Sequence, residues 1–216
     1  MTTWDERFAA PGWAYGTEPT PFLRAQRHHL VAGAKALAVA DGEGRHAVFM
    51  AEHGLAVTAM DASPVAVAKA RGLAEARGVA VTFHVADVTA WSWEPDTYDL
   101  GLATFIQFLP PEPRRAVFAG LVRTLKPGGV LLLHGYRPEQ VDYGTGGPPH
   151  RDQLYTTADL RTAFADMEIL RLAAYDRELH EGRLHDGVSA LIDLVARKPR
   201  RDARADQPTR SRQRSR

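Results

Sequence analysis

The stretch AVADGEGRHA, residues 38–47, places Gly42 and Gly44 at G-x-G spacing directly after a short apolar run. Bare backbone at such a turn can approach a ligand closely, because a Cβ there would collide with it. Asp61, in TAMDAS, closes a second apolar run, where its carboxylate can accept hydrogen bonds from the two hydroxyls of a ribose. Ala86, Asp87 and Val88 follow a third run; there a carboxylate suits the exocyclic amine of adenine and a backbone N–H suits a ring nitrogen. A lone G-x-G fits a surface turn equally well, but joined to Asp61 it indicates a site for an adenosine nucleoside. Gly42-x-Gly44-x-x-Ala47 also fits the dinucleotide pattern, in which a helix N-terminus holds a pyrophosphate. A nicotinamide-dependent oxidoreductase is therefore the competing reading.

The elements that carry these residues alternate. Short apolar runs at 34–40, 55–60, 79–85, 98–104 and 130–134 read as strands, and helices are expected over 45–53, 63–77 and 111–125. Ser63 followed by Pro64 is a strong helix start. Near-continuous apolar strands separated by helices mean a parallel sheet covered on both faces. After a Gly/Pro-rich loop (143–150) come a helix at 157–164 and two longer strands, 168–179 and 187–197, which read as an antiparallel hairpin at one edge. The fold class is thus α/β, doubly wound, with a mostly parallel seven-stranded sheet. Residues 1–33 are rich in aromatics, with helices expected near 4–9 and 19–32.

The 216 residues suffice for one well-packed domain, and the chain has no cysteine, which removes disulfides, thiolate nucleophiles and Cys-ligated metals. No His/Asp/Glu cluster has metal-ligand spacing, so no metal is expected. From Arg197 onward nine Lys and Arg face only Asp202 and Asp206, while the preceding residues are net acidic. That balance argues against a nucleic-acid-binding domain. The tail, 199–216, is expected to be disordered, either a solvated extension or a polyanion-binding arm. With no apolar run of spanning length and an N-terminus unlike a secretory signal, the expected location is cytoplasmic, without membrane partners.

Taken in order, GEGRHAVFMAEHG, VTAMDASPVAVAKA, VADV and LKPGG resemble class I S-adenosylmethionine-dependent methyltransferases over residues 34 to about 135. With WDERF…WAYGTEP…FL and LHEGRLHDG…LVARK, the likeness extends to roughly 1–198, and is closest to the small tellurite-resistance and thiopurine-type methyltransferases. The resemblance implies a Rossmann-like methyltransferase domain (34–198) under an N-terminal helical lid (1–33). The cofactor would be S-adenosyl-L-methionine, leaving S-adenosyl-L-homocysteine as product. The implied cofactor contacts are Trp4, Tyr15 and Gly16 from the lid; Ala40, Asp41, Gly42, Gly44 and Arg45 from the first turn; Asp61, Ala62 and Ser63; Ala86, Asp87 and Val88; and Thr104 and Phe105. The class pattern has an acid and a glycine where this chain has Ala38 and Ala40; Asp41 or Glu43 is left to take over the acid's contact with the methionine amino group.

In-line transfer from a sulfonium is chiefly a matter of positioning. An anionic thiolate, selenide or tellurium oxyanion needs little help, whereas a hydroxyl or amine needs a base, most often His, Asp or Glu. His134 follows the fifth strand on the acceptor's side, and the resemblance places His180 at an acceptor-site histidine; both are the candidate catalytic residues. His134 equally suits a packed strand end, and His180 and His185 suit solvated hairpin positions. His28, His29, His53 and His84 read as surface or cap residues. DLGLATF, from Asp99, is not the (N/D)-P-P-(Y/F) loop of methyltransferases acting on DNA amines. A small acceptor, a thiol or a chalcogen compound such as tellurite or selenite, fits best, acted on by a monomer or homodimer.

Overall fold

The computed structural model describes residues 4–200, so all but two residues of the basic tail lie outside the described residues. The N-terminal segment holds α1 (Trp4–Ala9) and α2 (Pro21–Ala25). The single helix expected over 19–32 is instead α2 followed by a 3-10 turn at Arg27–His29. Pro21 disfavours helical backbone at the residue before it, so Thr20 becomes the N-cap, its Oγ1 accepting from Leu23 N at 3.3 Å.

The chain then runs β1 (Lys35–Val39), α3 (Arg45–Glu52), β2 (Ala56–Asp61), α4 (Pro64–Ala76), β3 (Val81–Val85), β4 (Tyr98–Thr104), α5 (Pro111–Thr124), β5 (Leu125–Tyr136), α6 (Gln140–Tyr143), α7 (Thr157–Ala163), β6 (Glu168–Glu181) and β7 (His185–Arg197). One seven-stranded sheet has the order β3-β2-β1-β4-β5-β7-β6. The first five strands are parallel, and β7 pairs antiparallel with both β5 and β6. Strand β5 starts five residues earlier than expected because Tyr98 pairs with Leu125 and Leu100 with Val130, leaving Lys126–Gly129 as a bulge within the strand.

Alternation along the strands builds a core on each face. Leu37 and Val39 join Leu131, Leu133, Ile192 and Leu194 on one side; Ala36 and Ala38 join Ala47, Met50, Phe22 and Leu23 on the other. Each fully buried Leu contributes roughly 2 kcal/mol by removal of apolar surface from water. Because β2 and β3 lie on one side of β1 and β4 on the other, the strand order reverses between β1 and β4, and a crevice opens beyond their carboxyl ends. The β6–β7 hairpin outgrows the sheet: β7 pairs with β5 only over Leu191–Arg197. Its far end reaches the N-terminal segment, where Arg183 N and Leu184 N donate to Ala14 O at 2.9 and 3.2 Å.

Candidate functional site

A cavity of about 300 Å³ occupies that crevice, floored by the turns after β1, β2, β3 and β4 and covered by the N-terminal segment and the hairpin. The turn after β1 is tight. Ala40 has a φ of 48° and Gly42 of 57°, and Phe105, just past β4, has 54°. Ala40 and Phe105 are thus held in a region that costs a residue with a Cβ about 1–2 kcal/mol, and both line the cavity.

Asp61 is fixed at the cavity wall. Its Oδ2 accepts from Gly42 N at 2.8 Å and its Oδ1 from Ser63 N at 2.9 Å. Burial raises its carboxyl above the usual range, and the two N–H bonds oppose that rise. Gly42 leaves little room for a side chain: a Cβ there would lie 3.3 Å from the Phe8 ring. Asp87, on the far side, has its Oδ1 held by Thr89 N and Oγ1, both at 2.8 Å.

The two acids after β1 separate in role. Glu43 is buried away from the cavity, its Oε2 accepting from Ala14 N at 2.7 Å and its Oε1 from Lys69 at 2.9 Å; it ties down the N-terminal segment. Asp41 lines the cavity, with Oδ2 accepting from Ala47 N at 3.1 Å and Oδ1 3.2 Å from His46 Nδ1. Ala38, where the class pattern has an acid, is buried in an apolar cluster. Asp41, a buried carboxylate lining the cavity beside the N-terminus of α3, repels a pyrophosphate there, which disfavours a dinucleotide.

Arg45 joins three parts of the chain. Its guanidinium donates to Tyr15 O at 2.7 Å and to Glu181 Oε2 at 2.9 Å, with both ionic side chains buried. His185 Nδ1 lies 3.4 Å from the same Glu181 oxygen. Burial alone would raise the Glu181 carboxyl, but its hydrogen bond with His185 and the charge of Arg45 prevail and bring it down to about 2. Trp4, Phe8 and Tyr15 complete the cover: Trp4 stacks on Phe8 with centroids 5.8 Å apart and meets Phe108 edge-on at 6.2 Å.

Of the cofactor contacts implied by sequence, Trp4, Tyr15, Ala40, Asp41, Gly42, Arg45, Asp61, Ala62, Ala86, Asp87, Val88, Thr104 and Phe105 line this cavity. Three do not. Ser63 caps α4 and bonds Asp5 with its hydroxyl; Gly44 lies against Ala70 of α4; Gly16 lies on a separate outer groove. Neither candidate catalytic histidine lines the cavity. His134 is a buried packing residue, bonded through Nδ1 to Asp193 at 2.8 Å and stacked on Phe22. His180 is 69% exposed, bonded to Asp186, because it stands on the outer rim of the hairpin. The cavity histidines are His46 and His185, both buried. Sequence reasoning passed over His46 as a helix residue, and His185 is buried only because the hairpin folds onto a segment some 170 residues earlier. Among the described residues no His/Asp/Glu group could hold a metal, and no helix is long and apolar enough to cross a membrane.

In comparison with known proteins, residues 36–129 match the family model of a methyltransferase domain. The chain is 30% identical over 127 residues to 2-heptyl-1-hydroxyquinolin-4(1H)-one methyltransferase of Mycobacteroides abscessus, covering 58% of this chain and 56% of that one. It spans about half or less of the curated relatives it matches. Among solved structures, TehB from Haemophilus influenzae shares the fold with a TM-score of 0.66 at 19% identity, over 82% of this chain and 61% of that one. Magnesium protoporphyrin IX methyltransferase from Synechocystis PCC 6803, with bound S-adenosylhomocysteine, aligns with a TM-score of 0.62 at 18% identity, over 82% and 78%.

Proposed function

We propose that this chain, whose residues 36–129 match a methyltransferase domain, is a class I S-adenosylmethionine-dependent methyltransferase that transfers a methyl group to a small acceptor held under its N-terminal segment. S-adenosylmethionine supplies the electrophilic methyl of a sulfonium. One observation carries the reading: Asp61, pinned by Gly42 N and Ser63 N at the wall of a largely apolar cavity, beside a left-handed turn where a Cβ would crowd Phe8. The residues suit the cofactor. Asp61 would hold the ribose hydroxyls, Asp87 and Val88 the adenine edge, and Asp41 the methionine ammonium, with Met60, Ala62 and Leu109 as apolar walls. Trp4, Phe8 and Tyr15 would exclude water from the transfer.

The finer reading of the acceptor is a thiol or a chalcogen compound, and it rests on the likeness of the hairpin stretch LHEGRLHDG. The curated relative methylates a 1-hydroxyquinolone, so a hydroxyl belongs in the same panel. The test is a thermal-shift comparison followed by a turnover screen. S-adenosylhomocysteine should raise the melting temperature, because a ligand that binds the native state alone stabilises it, whereas NAD and NADP should not. S-adenosylhomocysteine should then accumulate with at least one thiol, chalcogen oxyanion, phenol or amine. A shift with NAD or NADP alone would move the chain to the oxidoreductases; binding without turnover across the panel would make it a binding protein.

A further inference from the structure

His46 is buried, lines the cavity, and has an Nε2 without a hydrogen-bond partner among the described residues. Its Nδ1 lies 3.2 Å from Asp41 Oδ1 and 3.3 Å from Thr104 Oγ1. A carboxylate can only accept, so Nδ1 carries the hydrogen and donates it to Asp41. The neutral ring then has one proton, and Nε2 must present a bare lone pair. Such a pair, buried without a donor, is costly unless a ligand supplies one. Asp41 is itself held by Ala47 N, which fixes both the ring's orientation and its tautomer. This is the arrangement in which a carboxylate prepares an imidazole to take a proton and then stabilises the imidazolium.

We infer that His46, oriented by Asp41, is the general base of this site, and that the acceptor is a neutral protic group, a hydroxyl or thiol, which binds with its proton facing Nε2. The inference rests on the methyltransferase reading and narrows its acceptor, setting aside oxyanions that arrive already ionised. In the step, the acceptor's O–H or S–H bond breaks and the proton passes to Nε2. The freed electron pair forms the new bond to the methyl carbon as that carbon's bond to the sulfonium sulfur breaks. The sulfonium charge is lost and an imidazolium charge appears, so charge is conserved, and the proton then leaves to water.

Burial and three charged groups decide the titration of His46: burial and the charge of Arg45 lower it, while Asp41 and Glu181 oppose them. Thr104 adds only a neutral oxygen. The base is therefore ready at neutral pH, and turnover of a protic acceptor should fall as pH drops below the usual imidazole value.

The experiment uses the full chain, S-adenosylmethionine and a series of substituted phenols and thiophenols whose acidities span the assay pH. His46→Asn should lower kcat/KM by about 10²- to 10⁴-fold for phenols that are protonated at that pH, the usual contribution of a positioned base. It should change the rate for fully ionised thiophenols less than about threefold and keep the melting shift given by S-adenosylhomocysteine. Asp41→Asn, which also loses the contact proposed for the methionine ammonium, should lower kcat/KM for the whole series and add a further loss confined to the protonated phenols. By ¹⁵N NMR at pH 7, His46 should show a protonated Nδ1 and an unprotonated Nε2. Equal losses across the series, loss of the S-adenosylhomocysteine shift in His46→Asn, a protonated Nε2, or no turnover of any member would each overturn the inference. A wild-type chain that S-adenosylhomocysteine fails to stabilise would instead overturn the methyltransferase reading.

Discussion

Gly182, at the turn of the β6–β7 hairpin, sits where one methyl group would pry the cover off the cavity. Its φ is 67°, and an added Cβ would lie 2.5 Å from Ala14 O, 2.6 Å from Gly16 N and 2.7 Å from Tyr15 Cα. All three are backbone atoms of the N-terminal segment, so no rotamer change relieves the overlap. Restoring ordinary contact near 3.5 Å requires a shift of about 1 Å. That shift breaks or stretches the bonds from Arg183 N and Leu184 N to Ala14 O and from Arg45 Nη1 to Tyr15 O. Strain at the left-handed position costs about 1 kcal/mol, and weakening one or two hydrogen bonds adds roughly 1–2 kcal/mol. The covered state of Gly182→Ala should therefore lose about 2–3 kcal/mol relative to the open one, or roughly 30- to 150-fold in population. Isothermal titration with S-adenosylhomocysteine should show Kd rising by up to that factor, and stopped-flow displacement should put most of it in the dissociation rate. Gly72→Ala is the control, since nothing lies within 4 Å of a Cβ on that helical residue. A Gly182→Ala chain whose Kd stays within twofold of wild type would refute the idea that segment 4–18 closes over the ligand.

Gly44→Ala would put a Cβ 2.6 Å from Ala70 Cβ at a φ of 87°; strain and overpacking together should cost about 3 kcal/mol, seen as a drop of roughly 6–12 °C in calorimetric Tm. Gly72→Ala should stabilise by about 0.5–1 kcal/mol through helix propensity in urea titration. Glu181→Gln leaves Arg45 buried without its carboxylate and should cost about 3–5 kcal/mol. The Glu181 carboxyl is held down at about 2, so its contribution is complete above the ordinary carboxylate value of 4.5 and is lost as pH falls from 4.5 toward 2. Melting curves from pH 7 to 2.5 should steepen in that window for wild type and be flatter there for Glu181→Gln.

Much of the cavity floor was legible because it is local. The apolar runs, Ser63-Pro64 and the Gly42/Gly44 turn each specify their own geometry, and Asp61 and Asp87 sit at strand ends that the runs define. Strand β4 falls on the residues expected, Tyr98–Thr104. What was hidden is what long-range packing decides. Arg45 meets Glu181 across 136 positions, and no short window of sequence reveals that pairing. The extra length of β6 and β7 moves His185 from a hairpin edge to the cavity wall while leaving His180 in solvent. His134 looked like an acceptor-side group from its strand-end position, yet Asp193 and Phe22 enclose it. That Asp41 lines the cavity while Glu43 turns away likewise depends on Ala14, which only the folded N-terminal segment brings near.

The most direct measurement is calorimetric titration of S-adenosylhomocysteine into the full chain and into Asp61→Ala, with circular dichroism confirming that both are folded. Saturable one-to-one binding to the wild-type chain is expected, with a loss of at least about tenfold in affinity when the Asp61 carboxylate is removed, one charge-assisted hydrogen bond being worth roughly 1.5–3 kcal/mol. Equal affinity for the two folded chains would contradict it.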